Sequence, residues 1–175
     1  MTEQALELLR AAGAATMEHP GGTLLAHLRR VAALLADWGG RPALVCAGLC
    51  HACYGTDGFA TALLPLDRRD ELVRAIGADA EALVHFYASC DRRASYPALT
   101  ADEPGFTDRF TGTRFRPTAQ QLRDFAELTA ANELDIAAVS PELRERYGPA
   151  LLGLFTRWRP LLSDPAWQYC QEVLG

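Results

Sequence analysis

Apolar residues recur every three or four positions between Thr23 and Trp38, which is the spacing of one face of an α-helix. Thr23 is a residue type that commonly caps a helix N-terminus, and Gly39-Gly40 supplies a stop. The pattern therefore predicts an amphipathic helix over residues 23–38. Its apolar face comprises Leu24, Leu28, Val31, Leu35 and Trp38.

The same helical period continues through most of the chain. It predicts further helices over residues 42–53, 67–76, 79–90, 118–139 and 141–159, and a terminal helix that opens at Ser163 or Asp164. Pro, Gly and Thr interrupt the period in the segment 91–117, where residues 108–116 predict a small hairpin. The sequence thus predicts one all-α domain over residues 1–175 with one irregular loop or hairpin excursion at 91–117.

The composition of the chain argues against two classes of binding partner, nucleic acids and membranes. All 17 basic residues are arginine, against 22 acidic residues and a formal net charge of −5. An acidic chain with no arginine run longer than a pair lacks the charge footprint of a nucleic-acid-binding protein. Glu3 and Glu7 stand in the stretch Met1 to Leu9, where a signal peptide carries positive charge, and no apolar run is long enough to span a membrane. We therefore expect a cytoplasmic protein with no nucleic-acid or membrane partner.

Polar residues interrupt the apolar faces of three predicted helices. His27 and His51 fall at three- and four-residue intervals from apolar neighbours, and Asn132 lies on the apolar face of the 118–139 helix. A buried polar group without a partner costs about 1–3 kcal/mol, so we expect the three to meet one another, a water, a metal or a ligand. Taken singly, an inward histidine is also explained as a satisfied core residue. His19 is predicted to lie in a turn, with closure over the site as the alternative.

Three segments carry a resemblance to a known family. They are His27-Leu28-Arg29-Arg30-Val31-Ala32, then Ala47-Gly48-Leu49-Cys50-His51, and last Ala130-Ala131-Asn132-Glu133-Leu134-Asp135. Together they resemble the HD-domain superfamily, all-helical metal-dependent phosphohydrolases and relatives marked by one His, a later His-Asp pair and a distant Asp. The stretch His51-Ala52-Cys53-Tyr54-Gly55-Thr56 is similar to a group of HD-like bacterial proteins of unknown function with a His-x-x-Tyr-Gly-Thr signature. The resemblance spans residues 23–139.

Two positions depart from the superfamily's pattern. Ala52 stands where an Asp follows the second His, and Asn132 stands at the position of the distant Asp. The resemblance implies that those two carboxylates are anionic metal ligands and that the first bridges a second ion. Their replacement by neutral groups disfavours a dinuclear phosphohydrolase centre.

The resemblance leaves open one weakly held divalent transition metal, Fe, Mn or Zn, bound by His27 and His51. The candidates for a third ligand are Asp91, Asp135 and His85. Without a metal, the two imidazoles and the Asn132 amide would form an acid–base site, since histidine titrates near working pH.

The turn after His51 carries candidates for the rim of the same site. Tyr54 is a candidate donor to a developing oxyanion, Thr56 a candidate substrate-binding residue, and Gly55 permits close backbone approach. The same segment is equally explained as a turn that ends the helix. Arg92 is a candidate to bind an anionic substrate group, although arginines of exposed loops are commonly solvated.

The spacing of the cysteines raises two alternative metal sites, an iron–sulfur cluster and a zinc site. Cys46, Cys50 and Cys53 have the Cys-x3-Cys-x2-Cys spacing that holds a [4Fe–4S] cluster in radical S-adenosylmethionine enzymes. Here the thiols share one face of a predicted helix, so we expect no iron–sulfur cluster. A zinc site formed by the same thiols with His51 is the second alternative.

These observations favour an enzyme that acts on a small organic molecule through His27, His51, Tyr54 and Asn132. A hydrolase, an isomerase and an oxygenase all fit the residues. The alternative is a non-catalytic HD-like protein that binds a ligand or serves as a scaffold. The sequence leaves the oligomeric state open.

Overall fold

The computed structural model describes residues 3–175, and that range contains nine α-helices, three 3₁₀-helices of one turn each and two short antiparallel strand pairs. In chain order the α-helices and strands are α1 (Glu3–Ala11), β1 (Glu18–His19), β2 (Gly22–Thr23), α2 (Leu24–Asp37), α3 (Pro42–Cys50), α4 (Arg69–Ile76), α5 (Ala78–Ala88), α6 (Arg92–Ser95), β3 (Phe106–Thr107), β4 (Arg114–Phe115), α7 (Ala119–Val139), α8 (Pro141–Arg157) and α9 (Asp164–Leu174). The all-α prediction is confirmed.

Side-chain caps explain where the main helices begin. The Thr23 hydroxyl accepts from the backbone N–H of Ala26 at the start of α2. Thr118 and Gln121 form a capping box that opens α7, and Ser163 caps α9. Each of these caps satisfies backbone donors that the first helical turn leaves free.

Helices α2, α3 and α7 pack against one another at the centre of the domain. Gly48 of α3 faces α2 so closely that a methyl group there would overlap the side chain of Leu35. This close approach brings the start of α2 and the end of α3 together, and the middle of α7 lies across both. The fold therefore places His27, His51 and Asn132 at one point.

The excursion at 91–117 contains the predicted hairpin. Strands β3 and β4 pair antiparallel, with Phe106 opposite Phe115, and Gly112 turns between them at φ +73°. Phe106 is fully buried and stacks on Phe86 of α5, with ring centroids 4.2 Å apart. The excursion is thus fastened to the core rather than free above it.

Three features were not predicted from the sequence: helix α1, the β1–β2 hairpin, and the short helix α6 at the start of the 91–117 excursion. Residues of the Met1 to Leu9 stretch from Glu3 onward belong to α1, and the first two lie outside the described residues. Strands β1 and β2 form a hairpin where only a turn was expected at His19, with Gly21 at φ +78°. Within residues 3–175, no helix has the length and apolarity to cross a membrane.

Candidate functional site

A cavity of about 340 Å³ opens where α2, α3, α7 and the β1–β2 hairpin meet. Its polar lining comes from Glu18, His19, His27, His51, Thr56, Arg92, Asn132 and Glu133. Its apolar lining includes Leu24, Phe59, Ile136, Leu143 and Leu151, with the ring of Tyr147. The cavity has the mixed apolar and polar lining that is typical of small-molecule sites.

The imidazole of His27 is hydrogen-bonded to the carboxylate of Asp135. Its Nδ1 lies 2.6 Å from Oδ2 of Asp135, and both side chains are buried. Arg30 donates to the same carboxylate from Nε at 2.7 Å and from Nη2 at 2.9 Å. Burial alone would raise the pKa of Asp135, but the hydrogen bonds from His27 and Arg30 outweigh it and hold that pKa below its usual value. Asp135 therefore stays ionised and fixes the Nε2 edge of His27 toward the cavity.

His51 is fixed in one tautomer. Its Nδ1 donates to the carbonyl oxygen of Gly48 at 2.8 Å, one turn back along α3. Burial, and then the charge of neighbouring His27, lower the pKa of His51 to about 3. The imidazole is therefore neutral, and its Nε2 carries a lone pair.

Asn132 joins the two histidines. Its Oδ1 lies 3.0 Å from Nε2 of His27 and 3.1 Å from Nε2 of His51. Its Nδ2 donates to Oε1 of Glu133 at 3.4 Å, which keeps the amide oxygen on the histidine side. Because the Nε2 of His51 has no proton to give, two acceptor atoms face each other here. Either a cation takes both lone pairs, or the amide rotates and loses its contact with Glu133.

These atoms fit one divalent transition ion. Donors in neighbouring positions on one ion lie about 3 Å apart when each bond is about 2.1 Å, as both Nε2-to-Oδ1 separations do. The bonds from Nδ1 of each histidine to Asp135 and Gly48 are of the kind that orient metal-binding imidazoles. No group of three or more His, Cys, Asp and Glu side chains within residues 3–175 is arranged to hold a metal. An ion bound here would have a neutral amide as its third donor and would therefore be held weakly.

His19 is the lining residue that sequence reasoning assigned to a turn. Its ring stacks on that of His27, with centroids 4.1 Å apart, and its buried Nδ1 has no hydrogen-bond partner in the described chain. Burial and the charge of His27 lower the pKa of His19 to about 4. The β1–β2 hairpin therefore brings another histidine, with a neutral imidazole, to the cavity, and the Pro20-Gly21-Gly22 turn was its only signal in the sequence.

Arg92 and Thr56 line the cavity, as expected of substrate-binding candidates. Nη1 of Arg92 donates to Oε1 of Glu133 at 3.2 Å, and its guanidinium lies 5.8 Å from the centre of the Tyr96 ring. The Thr56 hydroxyl accepts from the backbone N–H of Phe59 at 2.9 Å. Arg92 is therefore paired with a carboxylate rather than free for an anion.

Tyr54 and Asp91 do not reach the cavity. The Tyr54 hydroxyl donates to Oε1 of the buried Glu81 at 2.9 Å, and the partly exposed Arg69 donates to the same oxygen at 2.6 Å. Asp91 caps α6, its Oδ1 accepting from the backbone N–H of Ala94 at 2.9 Å. Each side chain satisfies a local partner, which corrects their expected places at the rim and in the metal site.

The remaining candidates lie elsewhere. All five cysteines are free thiols, and Cys50 and Cys53 are fully buried. Both nitrogens of His51 are engaged by Gly48 and Asn132, so this histidine is not directed at the thiols. His85 contacts Tyr54 and Phe110 away from the cavity. The absence of an iron–sulfur cluster stays a prediction.

Comparison with known proteins gives one similarity. A family model described as a domain of unknown function, DUF6817, matches residues 8–92, just under half of the chain. The matched segment is similar to that family and includes His19, His27 and His51, but not Asn132. No curated protein and no solved structure matches the chain.

Proposed function

We propose that this protein is an enzyme acting on a small organic molecule, with a degenerate HD-type site that holds one divalent transition metal through His27, His51 and Asn132. The observation that carries the proposal is the Oδ1 of Asn132 held between two Nε2 atoms at 3.0 and 3.1 Å. With Nδ2 turned to Glu133, this arrangement of acceptors is satisfied by a cation.

Each residue has a distinct task in this proposal. His51 presents a neutral nitrogen at any pH near neutrality, and Asp135 aligns and polarises His27. A bound ion would supply Lewis-acid polarisation of a substrate oxygen and activation of a water. His19, stacked on His27 with an unpartnered Nδ1, is placed to hydrogen-bond a polar substrate atom. Apolar side chains form the rest of the cavity lining.

Metal-free acid–base catalysis is the second candidate. The 2.6 Å contact between Asp135 and His27 is complete without any ion and resembles the carboxylate–imidazole pair of a general base. In that case the Asn132 amide would rotate and donate one N–H to each Nε2. A substrate would then have to displace one of these bonds before His27 accepted its proton.

The test combines a metal titration with a search for turnover. Protein purified without a metal-binding tag is titrated with Mn(II), Zn(II) and, anaerobically, Fe(II), alongside Asn132→Leu. The proposal predicts one ion per chain in the wild type and weaker binding in the variant.

Turnover is sought by mass spectrometry of a small-molecule extract incubated with the metal-loaded protein, with His27→Gln as the control. Compounds consumed only by the metal-loaded wild type support the metal enzyme, and consumption that survives complete chelation supports the metal-free one. Compounds retained by the protein but never consumed would favour the alternative of a non-catalytic binding protein.

A further inference from the structure

The cavity lining contains more carboxylates than arginines. Arg92 is the only arginine among the lining residues that the structure describes, and the lining carboxylates are Glu133 and Glu18. Glu133 forms an ion pair with Arg92, whereas Glu18 is exposed and sits in the β1–β2 hairpin. The cavity therefore offers an entering anion no uncompensated guanidinium.

The guanidinium of Arg92 is also fixed in place. A Cβ atom at Gly58 would lie 2.8 Å from its Nη1, so the group packs directly over the backbone of that glycine. The ring of Tyr96 lies on another side, 5.8 Å from the guanidinium carbon. Arg92 thus cannot leave Glu133 for a ligand without giving up these contacts.

Glu133 has a second bond that ties it to the histidines. The same Oε1 atom that accepts from Arg92 accepts from Nδ2 of Asn132 at 3.4 Å. A ligand anion that competed for Arg92 would be placed against this carboxylate. Placing such an anion beside a like charge is costly, because the charge of Arg92 is already compensated by Glu133.

We propose that Glu133 determines the substrate class of this cavity: by neutralising Arg92 it makes the cavity accept neutral, largely apolar molecules with one polar end, and reject carboxylates and phosphate esters. The inference rests on the proposed function in one respect, that the cavity is where the substrate binds. It concerns the charges of the chain itself and applies to the metal-free cavity, because a bound divalent ion would itself attract an anion.

The test uses three ligands that share one apolar group and differ in charge: phenylpropanamide, phenylpropanoate and phenylpropyl phosphate. Their affinities are measured calorimetrically on protein freed of metal with a chelator. We expect the amide to bind the wild type about tenfold or more tightly than either anion. Either anion would lie against the Glu133 carboxylate, which already holds the charged hydrogen bond from Arg92.

Glu133→Gln is the decisive variant, because its amide oxygen can still accept from Arg92 and Asn132 while the charge is removed. We expect it to raise the affinity for phenylpropanoate by about tenfold and to leave the amide nearly unchanged. Glu18→Gln is the matched control, since it removes the same charge from the lining but leaves the ion pair with Arg92 intact. It should leave the order of the three ligands as in the wild type.

Three results would overturn the inference: tighter wild-type binding of either anion than of the amide, no binding of any of the three ligands, or an unchanged order in Glu133→Gln. Failure of the metal titration would count against the proposed metal site alone, because these affinities are measured without metal.

Discussion

Asp135 and His27, 108 positions apart in the chain, meet through a 2.6 Å contact between Oδ2 and Nδ1 that is closed to solvent. Arg30, one turn after His27 on α2, holds the other side of the same carboxylate. The contact joins α7 to α2 and at the same time aims the histidine at the cavity. It therefore serves stability and site geometry together.

Replacing Asp135 by Asn should affect both properties. The variant leaves Arg30 without its ion pair, so we expect the free energy of unfolding to fall by about 1–3 kcal/mol. Loss of the carboxylate behind His27 should also weaken metal binding by about 10–100-fold. Asp124→Asn is the control, because it breaks a comparable pair, between a buried carboxylate and the partly exposed Arg41, that lies outside the cavity. Equal metal affinities in the two variants would contradict the role given to Asp135.

Asn132→Asp should have opposite effects with and without metal. The new carboxylate supplies an anionic donor to the ion, so we expect tighter binding of Mn(II) or Zn(II) than in the wild type. In metal-free protein the same group lies next to Glu133 in a buried position, which should lower the melting temperature. The measurement is the melting temperature across a metal titration. A variant that melts like the wild type under both conditions would show that position 132 is not part of the site.

The helices could be predicted from the sequence because their apolar faces and caps are local features. The inward positions of His27, His51 and Asn132 followed from the same periodicity. The hydrogen-bond partners of these residues could not be predicted, because contacts between separate elements leave no periodic signal. The pairing of Glu133 with Arg92, for example, depends on the approach of Arg92 from another element. Tyr54 follows His51 so closely in the chain that a shared cavity was expected, but its hydroxyl meets Glu81 of α5 instead.

The hairpin that carries His19 escaped prediction because each of its strands has only two residues. Its geometry depends on Gly21, which has φ +78° and whose added Cβ would lie 2.7 Å from Cγ2 of Val139 on α7. That contact joins residues far apart in the chain and leaves no periodic signal.

Gly21→Ala should therefore destabilise the protein more than an alanine at a free turn. Gly112→Ala is the matched control, because Gly112 has a similar φ of +73° with nothing within 4 Å of an added Cβ. Both variants carry the strain of a positive φ, about 1 kcal/mol, and the overlap with Val139 adds to it only at Gly21. Urea denaturation measures the difference. Equal losses of unfolding free energy would mean that the hairpin does not rest on α7.

The pH dependence of stability should report the buried state of His51. Its pKa falls from 6.5 to about 3 on folding, so below pH 6.5 the unfolded chain binds a proton that the folded protein refuses. We expect the free energy of unfolding of metal-free protein to decline as the pH falls from 6.5 toward 3. His51→Gln removes this titration while other groups remain, so its decline should be shallower. Parallel curves for the two proteins would contradict the buried, neutral imidazole.

X-ray absorption of the zinc-loaded protein tests the central claim most directly, because it reports which atoms hold the ion. We predict a shell of nitrogen and oxygen at about 2.0–2.1 Å with the outer scattering of two imidazoles, and one imidazole fewer in His51→Gln. A sulfur shell at about 2.3 Å would place the ion on the cysteines instead. That result, or a spectrum of the wild type without imidazole scattering, would contradict a metal site built from His27, His51 and Asn132.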